Sequence, residues 1–292
     1  MANLLCFGLG YSAEHYISSY GDKFNRIVGT VRNAERATAL NGRFDGRLEA
    51  FAFDGTSPTP EVVSAIATAD RALVSIPQTQ RGDPVLTAFG EALRQARQLR
   101  AVVYLSTVGV YGDYGGAWVD EATPPRPHSA RGQERLAAER AWQAFGAQSG
   151  VAVAVLRLAG IYGPGRNALV QVARGDARRI VKPGQVFNRI HVADIAQAID
   201  AAFTRAADGI FNVADDEPSP PADPIAFAAQ LLGRDPPPEI SFADVAPSMS
   251  PLALSFWLEC RRVRNDRLKG ELNVALHYPT YREGLRTLFE SG

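Results

Sequence analysis

Short apolar runs rich in β-branched residues recur along the first two thirds of the chain. They are separated by stretches whose apolar positions repeat every three to four residues. The runs at 3–7, 26–31, 48–53, 72–76, 101–105 and 152–158 are nearly continuous rather than alternating. That pattern predicts strands buried on both faces of a parallel sheet. A later run, 209–213, adds a further strand candidate. Between the runs lie helical patterns, the clearest opening at Asp83-Pro84 with Asp83 as N-cap and Pro84 in the first turn. Its Val85, Leu86, Phe89 and Leu93 fall on one face at helical spacing. Other helices are predicted over 133–145 and 193–206. Strands alternating with helices, joined by right-handed crossovers, make an α/β fold with a doubly wound parallel sheet.

The alternation fails after about residue 163. Tyr162-Gly-Pro-Gly-Arg166 reads as a loop, 213–224 as a proline-rich connector, and Asp235-Pro-Pro-Pro238 as a rigid break. The expected division is a dinucleotide-binding Rossmann domain formed by 1–163 and 190–215. A small C-terminal substrate lobe, 164–189 with 216–292, would close over the C-terminal edge of the strands.

The first predicted strand ends in Gly8-Leu-Gly10-Tyr11-Ser12-Ala13, the G-x-G-x-x-A form of a dinucleotide-binding turn. Gly8 permits the tight turn, Gly10 lets a pyrophosphate approach the backbone, and Ala13 lets the helix pack on the sheet. Tyr11 and Ser12 open that helix, whose N-terminus favours an anion. The ribose-reading position at the end of the second strand carries no acid in Thr30-Val31-Arg32-Asn33. Thr30 takes the usual acid position, and Arg32 suits a 2′-phosphate, which points to NADP with NAD as runner-up. A solvated Arg32 at a strand end is the competing reading. Asp54, after the third strand, is placed to accept from an adenine amine. Ser75-Ile76-Pro77 would line the adenosine after the fourth.

Composition narrows the function classes. Among 292 residues, 31 basic side chains balance 31 acidic ones, so no field invites nucleic acid or an anionic membrane. Cys6 and Cys260 form no paired motif, which argues against a disulfide framework or a metal cage. No apolar run reaches the roughly 20 residues of a membrane span, and the N-terminus reads as a core strand rather than a signal peptide. A cytoplasmic protein is expected.

Several segments resemble the short-chain dehydrogenase/reductase superfamily, in its NAD-dependent epimerase/dehydratase branch. They are Leu105-Ser106-Thr107-Val-Gly-Val-Tyr111-Gly112, Leu156-Arg157-Leu-Ala-Gly-Ile-Tyr162-Gly-Pro-Gly-Arg166 and Arg189-Ile-His191-Val-Ala-Asp194. Phe211-Asn212-Val213 and Asn265-Asp-Arg-Leu-Lys-Gly-Glu-Leu272 belong with them. The resemblance implies hydride transfer at a nicotinamide. Thr107 would hold the substrate oxygen, Ser106 would sit beside it near the nicotinamide, and a Tyr-x-x-x-Lys pair would supply the acid and base. The dehydratases' Asp-Glu pair is replaced by Val108-Gly109. Counting back from Ala138-Glu139, the Tyr and Lys positions hold Arg131 and Arg135. No Tyr-x-x-x-Lys occurs in that segment. An arginine cannot serve as general acid or base, but it can bind an anion or stabilise developing charge. The chain therefore resembles the atypical members of the superfamily, with Tyr111, His191 and His128 as weaker replacement candidates.

On the substrate side, Tyr111, Tyr162, Arg166, Asn167, Lys182 and Arg189 would surround a phosphorylated, nucleotide-linked or carboxylated small molecule, with Trp118 or Phe187 to stack on a ring. Two functions follow. One is an oxidoreductase or epimerase on a small polar or nucleotide-linked substrate. The other is a catalytically silent NADP(H)-binding module that reports redox state. Either is expected as a monomer or homodimer.

Overall fold

The computed structural model describes residues 2–44 and 46–291. The strands, in chain order, are β1 (Ala2–Phe7), β2 (Phe24–Val31), β3 (Leu48–Ala52), β4 (Arg71–Val74), β5 (Ala101–Thr107), β6 (Trp118–Val119) and β7 (Ala152–Leu158). They continue with β8 (Gly160–Tyr162), β9 (Arg179–Val181), β10 (Arg189–His191), β11 (Gly209–Val213), β12 (Glu239–Ser241) and β13 (Arg262–Val263). The helices are α1 (Tyr11–Tyr20), α2 (Ala34–Leu40), α3 (Pro60–Thr68), α4 (Pro84–Gln95), α5 (Ala130–Ser149) and α6 (Ala168–Arg174). After these come α7 (Val192–Arg205), α8 (Ala222–Leu231), α9 (Phe242–Val245), α10 (Pro251–Trp257), α11 (Asp266–Gly270) and α12 (Tyr281–Glu290).

Seven strands form one parallel sheet in the order β11-β7-β5-β4-β1-β2-β3. This is the Rossmann arrangement, and its order reverses between β1 and β4, where a crevice opens outside the strand ends. The apolar runs are continuous because both faces are covered. Leu4, Cys6, Leu73, Val103 and Leu156 pack on the α1/α7 side. Leu5, Phe7, Val74, Val102 and Val155 pack on the α3/α4/α5 side.

The predicted cap of α4 is present: one Asp83 carboxylate oxygen accepts from the amides of Val85 and Leu86, each at 3.0 Å. The helix expected over 133–145 is longer at both ends. The Ser129 hydroxyl caps it by accepting from the Gly132 amide at 3.1 Å, and Gly150 stops it with φ of 73°. Three small parallel pairs, β8–β10, β9–β12 and β6–β13, lie outside the main sheet. A third apolar cluster, with Tyr162, Leu169, Ile225, Ala228, Tyr281 and Leu285, joins α6, α8 and α12 beyond the strands' C-terminal edge. Among the described residues no helix is long and apolar enough to cross a membrane, and no group of histidine, cysteine and carboxylate side chains could hold a metal.

Candidate functional site

A groove of about 330 Å³ opens at the switch point, lined by Gly8, Leu9, Gly10, Thr30, Val31, Arg32, Asn33, Arg36, Phe53, Ser75, Ile76 and Pro77. Its two glycines do different things. Gly8 has φ of 95°, and a Cβ there would stand 2.5 Å from the Ile76 side chain. It is required by the fold itself. Gly10 has an ordinary extended backbone, and a Cβ there would meet nothing within 4 Å. The space over Gly10 is open. Gly10 also starts α1 without a side-chain cap, leaving the helix's first amides free for an anion. A dinucleotide's pyrophosphate fits that cradle.

Neighbouring groups brace the turn. The Thr30 hydroxyl accepts from the Gly8 amide at 3.0 Å, and the Ser75 hydroxyl donates to the Gly8 carbonyl at 2.6 Å. Thr30 is thus buried in the turn, while Arg32 and Asn33 also line the groove. Arg32 is exposed and has no ion-pair partner among the described residues. Asn33 caps α2 by accepting from the Arg36 amide at 2.9 Å, and Arg36 pairs with Glu14. Ala13 is fully buried under the sheet. Tyr11 donates its hydroxyl to the Pro164 carbonyl at 3.0 Å, which ties α1 to the loop after β8. Asp54 departs from expectation. Its carboxylate accepts from the amide and hydroxyl of Thr56, and the residue lies outside the groove lining.

A larger cleft of about 750 Å³ lies over the ends of β5 and β7. Ser106 and Thr107 form part of its floor, but their hydroxyls differ. Ser106 donates to Glu139 at 2.5 Å, and Glu139 in turn pairs with Arg157 at 2.7 Å, both almost completely buried. Arg157 lies 4.8 Å from the centroid of the Tyr111 ring. Ser106 therefore positions the floor rather than offering a donor to a ligand. The Thr107 oxygen accepts from the Gly109 amide at 3.1 Å, which leaves its O–H as a donor.

The two arginines of α5 also part company. Arg131 is exposed, lines the cleft and has no side-chain partner among the described residues. Arg135 turns under the sheet edge, donating to the Tyr104 hydroxyl at 2.9 Å and the Leu105 carbonyl at 3.2 Å.

Other expected site residues are committed elsewhere. Tyr111 is fully buried and donates to the Asn212 side chain at 2.8 Å, so it reaches neither acid–base nor substrate position. His191 caps α7, its Nδ1 accepting from the Ala193 amide at 3.2 Å, and is packed between Tyr162 and Tyr278. Burial lowers its pKa to about 4, and its Nε2 has no partner. It is a structural residue. Lys182 donates to the Trp257 carbonyl and holds α10, outside the cleft lining. His128 and Trp118 also lie outside the lining. Tyr162, Arg166, Asn167, Phe187 and Arg189 do line it. Sequence reasoning missed Arg178, Phe256, Trp257, Glu259 and Arg261, which come from loops and from the short helix α10.

The profile of the NAD dependent epimerase/dehydratase family matches residues 85–214, which include the cleft floor, α5 and the segment leading into α7. Over that stretch the chain is similar to the NAD-dependent epimerase/dehydratase family. Its fold superposes with TM-score 0.77 on dTDP-glucose 4,6-dehydratase from Bacillus anthracis str. Ames, solved in complex with NAD. That pair is 16% identical, over 99% of this chain and 96% of the other. A functionally unknown conserved protein from Silicibacter pomeroyi DSS is 44% identical with TM-score 0.87, over 100% of this chain and 99% of the other. The 3-diazoavenalumate denitrifying reductase of a Streptomyces species is 32% identical over 146 residues, 48% of each protein, so the chain spans about half the length of this curated relative.

Proposed function

We propose that this protein is an NADP(H)-dependent oxidoreductase of the epimerase/dehydratase family, working as a reductase on a small anionic acceptor. Gly8, Gly10 and the first amides of α1 would hold the pyrophosphate, Arg32 and Asn33 the phosphorylated ribose, and Ile76 and Pro77 the adenosine. When bound, the dinucleotide supplies the hydride. The Thr107 O–H would donate to the acceptor oxygen, and the Arg131 guanidinium would face the negative charge that grows there. Arginine releases no proton at physiological pH, so stabilisation is electrostatic and the final proton comes from water. The reductase named among the relatives supports the direction of transfer.

The observation that carries this reading is an unpaired Arg131 sharing one cleft with a Thr107 hydroxyl that is free to donate. The same cleft has no histidine, lysine or cysteine in its lining. Burial also holds the phenols of Tyr162 and Tyr281 above their ordinary values, Tyr281 at about 12. Neither phenol gives up its proton near neutrality.

A screen of carbonyl and other electrophilic acceptors, followed by loss of reduced-cofactor absorbance, tests it. Turnover should stay flat between about pH 6 and 9, and Arg131→Met should lower it by ~10²-fold. A bell-shaped profile centred near neutrality, or an Arg131→Met enzyme as fast as wild type, contradicts it. Tight NADPH binding with no acceptor reduced would favour the silent redox-reporting module.

A further inference from the structure

The cleft has two chemically distinct sets of walls. Arg131, Arg166, Arg178, Arg189 and Arg261 face a single carboxylate, Glu259, which is already paired to Arg261 at 2.7 Å. Arg178 is exposed without an ion-pair partner among the described residues. Arg189 is half-buried beneath Tyr281, 5.7 Å from the ring centroid, and donates to the Ser219 hydroxyl at 2.7 Å. No carboxylate pairs with it within 4 Å among the described residues. Asp215 acts on Arg189 through space from beyond ion-pair distance, and Arg189 together with the exposed, unpaired Arg178 presents guanidinium donors to an anionic ligand group.

The other wall is aromatic. Phe187 and Trp257 meet edge to face with centroids 5.2 Å apart, and Phe242 stacks on the outer side of Trp257 at 5.2 Å. Phe256 lines the same cleft yet is 58% exposed, beside Leu252 and Leu258 at 52% and 61%. Phe256, a large apolar side chain left open in the cleft lining, calls for an apolar ligand surface. Phe187 and Arg189 are two residues apart at the entry to β10 and both line the cleft, so ring and cation are neighbours.

Two of the three side-chain amides that line the cleft are already engaged. Asn188 is engaged at both ends, donating to the Arg261 carbonyl at 3.0 Å and accepting from the Val263 amide at 2.8 Å. Asn167 likewise donates to the Gly163 carbonyl and accepts from the Val170 amide.

We propose that the ligand of this cleft is an amphipathic aryl carboxylate, its anionic group bound by Arg178 and Arg189 and its ring laid against Phe187, Phe256 and Trp257. This deepens the reading of the cleft as a substrate site and leaves Arg131 and Thr107 to the reacting end.

Isothermal titration of the full chain, with and without NADPH, tests it using trans-cinnamate, acetate, cinnamyl alcohol and UDP-glucose. Cinnamate should bind at least about tenfold tighter than each of the other three. Arg178→Ala and Arg189→Met should each weaken cinnamate about tenfold, and Phe256→Ala should weaken cinnamate while leaving acetate unchanged. Arg178 and Phe256 are exposed, so those variants keep the test open if Arg189→Met fails to fold. UDP-glucose binding tighter than cinnamate, or cinnamate no better than acetate and the alcohol, overturns the inference. Cinnamate binding without reduction of any aryl-carboxylate acceptor would sink the reductase reading and leave the ligand class standing. Reduction of a nucleotide-linked acceptor without cinnamate binding would do the reverse.

Discussion

The groove at the switch point and the cleft over β5 and β7 lie on the same edge of one sheet, yet they are built from different kinds of chain. The groove takes its parts from strand ends and two helix starts, where the turn geometry fixes which residue type can stand at each position. The cleft takes its parts from α5, the loop after β8, and the segments around 178–189 and 251–261. A local motif can therefore specify a cofactor site by itself. A substrate site assembled from distant segments is specified only by how they pack.

The largest test of this contrast is at the cleft floor. Glu139→Ala leaves Arg157 buried without its counter-ion, and thermal or urea unfolding should show a loss of about 3–5 kcal/mol. A much smaller loss would mean that the floor is not held by this pair.

The start of α7 is next. His191 is buried neutral, with its folded-state pKa depressed to about 4. Protonation is thus easier in the unfolded chain. The stability it contributes is fully present above the unfolded value of about 6.5 and is lost as pH falls through about 4. The full effect is roughly 3 kcal/mol. His191→Asn keeps a capping oxygen, so its unfolding midpoint should fall less than wild type's between about pH 6.5 and 4. Parallel pH curves for the two proteins would remove His191 from the account.

The glycines of the groove sharpen the comparison further. Gly8→Ala meets both a left-handed backbone and the Ile76 side chain, and should cost on the order of 2 kcal/mol in stability. Gly10→Ala should cost under about 1 kcal/mol yet weaken NADPH binding by about tenfold. Equal losses of stability in both variants, with NADPH affinity unchanged in Gly10→Ala, would make the space over Gly10 incidental.

What was legible in the sequence follows the same line. The strands, the Asp83 cap and the Gly8–Ala13 turn were readable because hydrophobic period and turn chemistry are local. Thr107 and Arg131 were found by their spacing within a family pattern, and both line the cleft. Tyr111, Lys182 and His191 were misplaced for a common reason. Their side chains are taken up by Asn212, the Trp257 carbonyl and the Ala193 amide. The first two partners are distant in sequence, and only the fold brings them close. Ser106 is a subtler case, since adjacent hydroxyls on one strand point to opposite faces and only Thr107 keeps a free donor. Arg178, Phe256 and Trp257 stand in segments without period or motif, so nothing local marked them.

The most direct measurement of the central claim, that the groove is a dinucleotide site read by Arg32, is a titration of NADPH and NADH against wild type and Arg32→Glu by nicotinamide fluorescence. The account predicts NADPH bound at least about tenfold more tightly than NADH in wild type, with that preference lost in Arg32→Glu. Equal affinity for both cofactors in wild type, or a preference that Arg32→Glu leaves untouched, would contradict it.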